Sequence, residues 1–421
     1  MCIIIVGGGV GGLASALLLQ RLGMPCRVFE RAQHFEDVGA GIQLSPNAMR
    51  VLRALGVANT LRQTRCEPQN VTVRHAASAK VIFSLPVGAT ARRRWGEDYW
   101  VVHRADLLAA LHEAVNREFP ATIASSAEVV GITQNTDGVA AHLANGETVN
   151  GTALIGADGL KSTVRAHIVG DGAPRFTGKV AWRALVPRST ATHGRASAPH
   201  TEEINVWASN RRHVVTYPVR GGRLLNIVGI IEEEAESAEG WSRTVEPSAF
   251  RDRFAMTPLI HPALASAVAS ATEVYRWPLY DRAPMTQWSE GRVTFLGDAA
   301  HPMLPSMAQG AAMALEDAWI LAAELHQRCT NAPLALQDIE SAFTGYEAAR
   351  QTRTAAVQRR AGRNLDMFHR SGPVSAGLVY RVLQLIGHAA PALLQRQQDW
   401  IYAHDVTATH SLPDTATRPC A

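Results

Sequence analysis

The sequence predicts an α/β protein in which a doubly wound, parallel-sheet domain is interrupted by a mainly antiparallel sheet and followed by a helical region. Three observations lead there. The first 20 residues carry no charge and pass from a β-branched run through a glycine-rich turn into an Ala- and Leu-rich stretch. From residue 180 to about 277 the texture changes to short Val-, Ile- and Trp-containing runs separated by turn residues. At Val293-Thr294-Phe295-Leu296 the buried-strand pattern returns, so the first domain is discontinuous in sequence. A length of 421 residues suits two or three domains. With 47% hydrophobic and 19% charged residues, the chain falls in the soluble globular class and outside the disordered, collagen-like and coiled-coil classes.

Taken in order, Cys2-Ile3-Ile4-Ile5-Val6 predicts a strand buried on both faces. Glycines stop it, residues 10–22 predict a helix ended by Gly23, and residues 26–30 predict a second strand, which makes a βαβ unit. Ser45-Pro46 offers an N-cap and a proline at the first helical position, with a helix over 47–55 closed by Gly56. Another helix is expected over 104–115. Between residues 129 and 152 short strands alternate with Thr-Asp-Gly and Asn-Gly turns, and Ala153-Leu154-Ile155-Gly156 is again a core strand. Residues 203–207, 213–219 and 224–230 predict strands of the antiparallel sheet. After residue 296 a glycine leads to a helix around 311–327, and residues from about 338 to 403 read as mostly helical before a polar tail from Thr407. The expected division is 1–75, 100–175 and 278–340 for the first domain, 76–99 and 176–277 for the inserted sheet, and 341–421 for the helical region.

Composition excludes several functions. The net charge of +4 is carried mostly by isolated arginines, with lysines only at 80, 161 and 179. A nucleic-acid binder concentrates its charge on one face or in one run. Arg92-Arg93-Arg94 reads as a solvated loop, and Arg350, Arg353, Arg359, Arg360 and Arg363 as exposed, salt-bridging helix faces. Five cysteines without a CxxC pair argue against a disulfide framework or a zinc site and fit a reducing cytoplasm. The uncharged opening has no basic segment before it and holds five glycines within residues 7–12, which suits a turn rather than a membrane span. His112-Glu113 lacks the second histidine of a zinc-protease motif, so no metal is assigned.

Three motifs carry chemistry. Gly7-x-Gly9-x-x-Gly12 lies between a predicted strand and helix: the first glycine permits the tight turn, the second admits a pyrophosphate, and the third allows close packing. Helix amides and the helix dipole then face phosphate charge. Glu30 ends the next strand, 18 residues after Gly12, where an acid can bind ribose hydroxyls. The combination predicts a Rossmann-like dinucleotide site and does not distinguish FAD from NAD. Asp158-Gly159-Leu160-Lys161-Ser162-Thr163-Val164-Arg165, taken alone, is a turn with Ser162 capping a short helix. Gly297-Asp298-Ala299-Ala300-His301-Pro302 is either another capped strand-to-helix turn or a polyol acceptor at Asp298, with a helix start near Gly310 that stabilises negative charge on a reduced ring.

In this order the three motifs resemble those of the single-component FAD-dependent aromatic hydroxylases of the 4-hydroxybenzoate hydroxylase fold. The chain is most similar to the salicylate, 3-hydroxybenzoate and 6-hydroxynicotinate members, from residue 3 to about 324. The resemblance implies Gly7, Gly9 and Gly12 at the FAD pyrophosphate, Glu30 and Arg31 at the adenosine ribose, and residues 39–43, including Gly41 and Gln43, past the isoalloxazine. It implies Arg104 near the phosphates and ribityl chain, Asp158 in a motif tied to both FAD and nicotinamide nucleotide, and Asp298 at the ribityl. Pro305 matches the proline beside the reactive flavin edge, and Gly310, Ala311 and Ala312 a helix start near the pyrimidine carbonyl.

On the substrate side, His213 and Tyr217 project from one face of a predicted strand. They read equally as a satisfied sheet histidine and a core aromatic, and the resemblance tips them toward a catalytic role. Gln43 and Ser306 stand where the hydroxynicotinate type carries histidines, and Ala308 replaces the first glycine of the common P-x-x-G-x-G pattern.

The implied activity is monooxygenation of a small aromatic carboxylate with O2 and NAD(P)H through a flavin C4a-hydroperoxide, in salicylate-type members with decarboxylation. The resemblance is compatible with a homodimer. The alternatives are an FAD-dependent oxidase or dehydrogenase that inserts no oxygen, and a non-catalytic nucleotide-binding module.

Overall fold

The computed structural model describes residues 2–33, 40–191, 202–233, 243–255, 260–329, 335–369 and 391–413. Ile3–Val6 is the expected first strand, with every residue buried. It pairs in parallel with Cys26–Phe29 on one side and Ala153–Gly156 on the other. A strand with no solvent face takes an unbroken apolar run, as Ile3–Val6 and Ala153–Gly156 do, whereas Cys26–Phe29 carries one exposed residue, Arg27. Val293–Phe295 continues the parallel order beyond Ala153–Gly156, Ile123–Ala124 continues it beyond Cys26–Phe29, and Ser289–Glu290 adds an antiparallel edge. The sheet is thus left after residue 156 and rejoined near 290. Helix Val10–Arg21 packs on Gly310–Arg328 and Arg104–Glu118. A small antiparallel sheet of Val129–Gln134, Val139–Leu143 and Thr148–Gly151, with the expected turns, precedes Ala153–Gly156.

The second sheet has eight strands, in the order Arg243–Val245, Val274–Asp281, Arg175–Pro187, Leu224–Glu232, Arg212–Val219, Ile204–Ser209, Asn70–His75, Val81–Pro86. All neighbours are antiparallel except Ile204–Ser209 with Asn70–His75. That parallel pair moves an expected boundary: residues 70–75, read as the end of the first domain, belong to the large sheet, and Val274–Asp281 extends it past residue 277. The partner strand lies about 130 residues away, so local sequence holds no sign of the pairing. One face, with Val180, Trp182, Trp207 and Val214, closes on Phe250, Phe254 and Leu264 of two short helices. The other face looks toward the first domain.

Helix Leu336–Phe368, 33 residues and about 50 Å long, joins the two halves. Ile339, Phe343 and Tyr346 pack into the first domain's core, while Ala361 and Leu365 pack under the large sheet. Two readings of its and other arginines are corrected here. Arg359 and Arg363 are exposed, but Arg350 is wholly buried, because two buried carboxylates of the neighbouring helix require a cation. Arg92-Arg93-Arg94 is no loop but the last turn of helix Gly88–Trp95, where cations complement the helix dipole; Arg92 pairs with Asp98 and Arg94 with Asp399. Among the described residues no helix is long and apolar enough to cross a membrane.

Candidate active site

The glycine turn is sorted by the space around each residue. Gly7 has φ +105°, and a Cβ there would lie 2.4 Å from the Ala157 carbonyl oxygen; a Cβ on Gly12 would lie 2.0 Å from that of Gly7. Both are closed by backbone. Gly9, the N-cap of helix Val10–Arg21, has nothing within 4 Å of its would-be Cβ. The open side of the turn is therefore at the helix start, where amide groups and the dipole favour an anion. Glu30 sits beside it, its two oxygens accepting hydrogen bonds from the Gly8 and Ala32 amides at 2.7 and 2.9 Å. Each carboxylate oxygen keeps a lone pair for a hydroxyl. Arg31 is exposed next to it. Asp158 accepts from the Val164 amide at 3.1 Å through Oδ2, while its Oδ1 is buried without a partner. Burial pushes its carboxyl up, with Ser162 and the backbone amides of the turn opposing. Ser162 caps helix Thr163–Ile168 as expected.

Further along the same cleft stand Asp298 and Arg104. Both are exposed to solvent, yet the protein around each is dense enough to shift its titration. Burial raises the Asp298 carboxyl, offset by His301 and Arg104. It lowers the Arg104 guanidinium, offset by Asp298 and Glu30. Asp298 adjoins the start of helix Gly310–Arg328: a Cβ on Gly310 would lie 4.0 Å from Asp298 Oδ1. Ala311 and Ala312 open that helix, with Pro305 two turns of chain before it in the short Pro305–Met307 helix. Ala308 adopts φ +51°, a left-handed conformation, which explains why glycine suits the position.

Beneath the cleft lies a buried polar network that sequence reading misses. Asp317 accepts from the Gly297 amide at 2.9 Å and from His301 Nε2 at 2.5 Å. Arg350 reaches Asp317 at 2.7 Å and Glu316 at 2.6 Å, and Arg353 reaches Glu316 at 2.8 Å. Asn47 donates to Glu316 at 2.7 Å and to Gln309 at 3.2 Å. Burial opposes ionisation of Glu316, but Arg350 and Arg353 outweigh it and bring the carboxyl down to about 2. The Gly297–His301 segment is thereby tied to the helix behind it. The acidic pair at 316 and 317 is visible in the sequence; its partner 33 residues on is not.

The large sheet roofs the cleft. Along Arg212–Val219, His213, Val215, Tyr217 and Val219 alternate onto the inward face. The Tyr217 hydroxyl donates to the Gly41 carbonyl at 2.7 Å, and Asn226 Oδ1 accepts from the Gly41 amide at 2.9 Å. A Cβ on Gly41 would lie 2.2 Å from the Tyr217 ring, so only glycine fits. Burial holds the Tyr217 phenol well above its ordinary value. Gln43, in the same strand Gly41–Leu44, accepts from the Tyr99 hydroxyl at 2.7 Å; Gly39 lies outside the described residues.

His213 is four residues, about 13 Å, from Tyr217 along the strand, so the structure does not bring the two to one point. It is buried, with Nδ1 at 2.7 Å from His369 Nε2, and burial holds its imidazole well below the ordinary value. Between them Val215 packs with Val228, Ala181, Leu304 and Leu365 in one apolar cluster.

Arg183, on the neighbouring strand Arg175–Pro187, also faces inward. Its guanidinium lies 4.7 Å from the Trp277 ring centroid, and its Nε is buried without a partner. Burial lowers its guanidinium, Tyr217 opposing and Arg104 adding. The signal for Arg183 was available: an arginine between Ala181 and Leu185 at the two-residue period of an inward face.

A family model described as an FAD binding domain matches residues 1–361. The chain belongs to this family, the FAD-dependent aromatic hydroxylases. It is 36% identical over 411 residues, 96% of the chain and 98% of the relative, to 3-hydroxybenzoate 6-hydroxylase 1 of Aquipseudomonas alcaligenes. It is 34% identical over 360 residues, 85% and 89% of the two chains, to 6-hydroxynicotinate 3-monooxygenase of Bordetella bronchiseptica. Among solved structures, a salicylate hydroxylase substrate complex superposes with a TM-score of 0.80 at 25% identity, over 100% of this chain and 98% of that one. FAD is the cofactor, and the residues present suit it. The free volume at Gly9, the orphaned Oδ1 of Asp158, and the cleft-floor pair of Arg104 and Asp298 are the features a pyrophosphate and a polyol chain would complete.

Proposed function

We propose that this hydroxylase acts on a small aromatic carboxylic acid bearing a ring hydroxyl, of the hydroxybenzoate or hydroxypyridine-carboxylate class, with NAD(P)H as hydride donor and O2 as oxidant. The observation that carries the reading is Arg183. A half-buried guanidinium with a partnerless Nε, on the inward face of the roof, calls for an anion. Both relatives act, by name, on a ring with one carboxylate and one hydroxyl. The apolar cluster of Val215, Val228 and Leu304 offers the face of a flat ring an apolar wall, and exclusion of water there would protect the reactive centre.

In this reading Arg183 binds the carboxylate and His213, neutral because it is buried, accepts the hydroxyl proton. Tyr217 holds the Gly41 segment in place through its hydroxyl, and Pro305 shapes the edge where ring and cofactor meet. Gly7, Gly9, Gly12, Glu30 with Arg31, Arg104, Asp158 and Asp298 hold the cofactor's phosphates and sugars, and the amides of Gly310, Ala311 and Ala312 its ring, with Gln43 alongside. FAD, when bound, supplies the hydride acceptance and oxygen activation that side chains lack.

The test is a screen of hydroxybenzoates and hydroxypyridine carboxylates for stimulated NAD(P)H oxidation, with mass analysis of products. Gain of one oxygen supports the reading, and accompanying loss of carbon dioxide marks the salicylate type. Hydrogen peroxide without a hydroxylated product from every compound would establish an oxidase instead. His213→Ala should impair hydroxylation more than FAD retention.

A further inference from the structure

We infer that His213, His369 and Glu232 form a proton relay that carries the substrate hydroxyl proton from the buried pocket to solvent, with Glu232 setting the tautomer in which His213 can accept it. The inference rests on His213 being the base of the proposed reaction. His213 Nδ1 lies 2.7 Å from His369 Nε2, and His369 Nδ1 lies 3.2 Å from Glu232 Oε1. Both imidazoles are buried, at 1% and 4% exposure, whereas the Glu232 side chain is 27% exposed. The chain thus begins on the inward face of the roof and ends at water.

The direction of each bond follows from the acceptor at its end. An ionised carboxylate can only accept, so His369 carries its proton on Nδ1. Burial works against the Glu232 charge, but Arg211 and His369 outweigh it and hold the carboxyl below its ordinary value. Burial also brings His369 down to about 4, with Glu232 opposing, so the ring is neutral near pH 7 and its Nε2 is a lone pair. His213 must then donate through Nδ1, which leaves its Nε2 bare. No described residue bonds that atom. The other charges near His369 are Lys179 and Asp366, paired at 3.3 Å, and Arg211, bound to Glu232 at 2.9 Å. Phe368 packs on the His213 ring at 5.3 Å and keeps water from the pair.

The transfer balances without any oxidant. The substrate O–H proton passes to His213 Nε2, the Nδ1 proton of His213 to His369 Nε2, and the Nδ1 proton of His369 to Glu232 and then water. The phenolate left behind is the electron-rich ring that oxygen insertion needs. When the product leaves as a neutral phenol the sequence runs backward and restores both tautomers. Neither imidazole need hold a positive charge at any stage, which suits sites whose burial disfavours one.

The test uses FAD-loaded protein with 15N-labelled histidine, His213 being assigned by difference from His213→Gln. The wild type should show His213 with Nδ1 protonated and Nε2 bare. Glu232→Leu, which offers His369 Nδ1 no acceptor, should release the fixed orientation and leave both rings as mixed tautomers. Finding Nε2 of His213 protonated in the wild type, or a single unchanged tautomer in Glu232→Leu, overturns the inference.

For a substrate that the wild type hydroxylates, Glu232→Gln and His369→Ala should lower kcat about 10- to 100-fold with the FAD content unchanged, and imidazole should restore part of the His369→Ala activity. Turnover within twofold of wild type in both variants sinks the relay alone. Absence of hydroxylated product from the wild type sinks the proposed function first, and the relay with it.

Discussion

Replacing Arg350 by methionine keeps most of the side chain's length and removes only its charge and hydrogen bonds. Arg350 is entirely buried and holds Asp317 at 2.7 Å and Glu316 at 2.6 Å. Without it Glu316 keeps Arg353 and Asn47, and Asp317 keeps His301 and the Gly297 amide. Breaking a buried ion pair by removing one partner costs about 3–5 kcal/mol. Proton linkage gives a similar figure for Glu316 alone, since a carboxyl moved from 4.5 to about 2 contributes about 3 kcal/mol of stability. Because the folded-state value lies below the unfolded one, that contribution is complete above about pH 4.5 and is lost as the pH falls toward 2.

At roughly 1 °C per kcal/mol for a cooperative unit of this length, Arg350→Met should melt about 3–5 °C below the wild type at pH 7 and lose stability less steeply on acidification. The assay is thermal unfolding from pH 7 to 3, followed by far-ultraviolet circular dichroism and flavin release. A double-mutant cycle with Glu316→Gln should show coupling above about 1 kcal/mol. A Tm within about 1 °C of the wild type, or strict additivity in the cycle, would refute the reasoning.

Gly9→Val should cost about 1 kcal/mol of helix capping but abolish FAD retention, read from the flavin absorbance of purified protein; retention at wild-type affinity would show that the open space at Gly9 is not the phosphate site. Ala308→Gly removes a left-handed strain of about 1–2 kcal/mol and adds about 0.5–1 kcal/mol of unfolded-state entropy, so urea unfolding should show equal or slightly higher stability, and a clear loss contradicts the φ of +51°. Arg183→Gln should raise KM for the aromatic carboxylate about 10- to 100-fold, the worth of a charge-assisted hydrogen bond, while leaving the matching carboxamide unaffected. Equal effects on acid and amide would remove Arg183 from carboxylate recognition.

Much of the cofactor half was legible because its signals are local. A strand buried on both faces must be apolar throughout, a phosphate turn must be glycine, and both occur within residues 3–12. The interrupted sheet was legible for the same reason, since Val293–Phe295, like Ile3–Val6, is a short, fully buried run of strand-forming residues. What escaped depends on partners far apart in the chain. Residues 70–75 join the large sheet only because residues 204–209 lie alongside. The arginine at 350 looks like any helix-surface arginine until residues 316 and 317 are seen behind it. His213 was found by its face on a strand, but its surroundings were not, because His369, which lies 2.7 Å from its Nδ1, comes 156 residues later.

Helix Leu336–Phe368 links two of these omissions. Arg350 lies within it and His369 is its C-cap, 19 residues and about 28 Å further on. Arg350 braces the Gly297–His301 segment through Asp317, beneath the cofactor cleft. His369 meets His213 under the roof. A single rigid element therefore fixes the height of the cofactor floor and the position of the proposed base, with Ala361 and Leu365 packed under the sheet between them. In the proposed site, the separation of substrate ring and cofactor would follow from the two sheets that this helix bridges. Such a constraint leaves no motif, because each of its contacts asks only for an apolar or charged residue at helical spacing. The sequence of the helix accordingly reads as an ordinary amphipathic segment, although it packs into both halves of the proposed site.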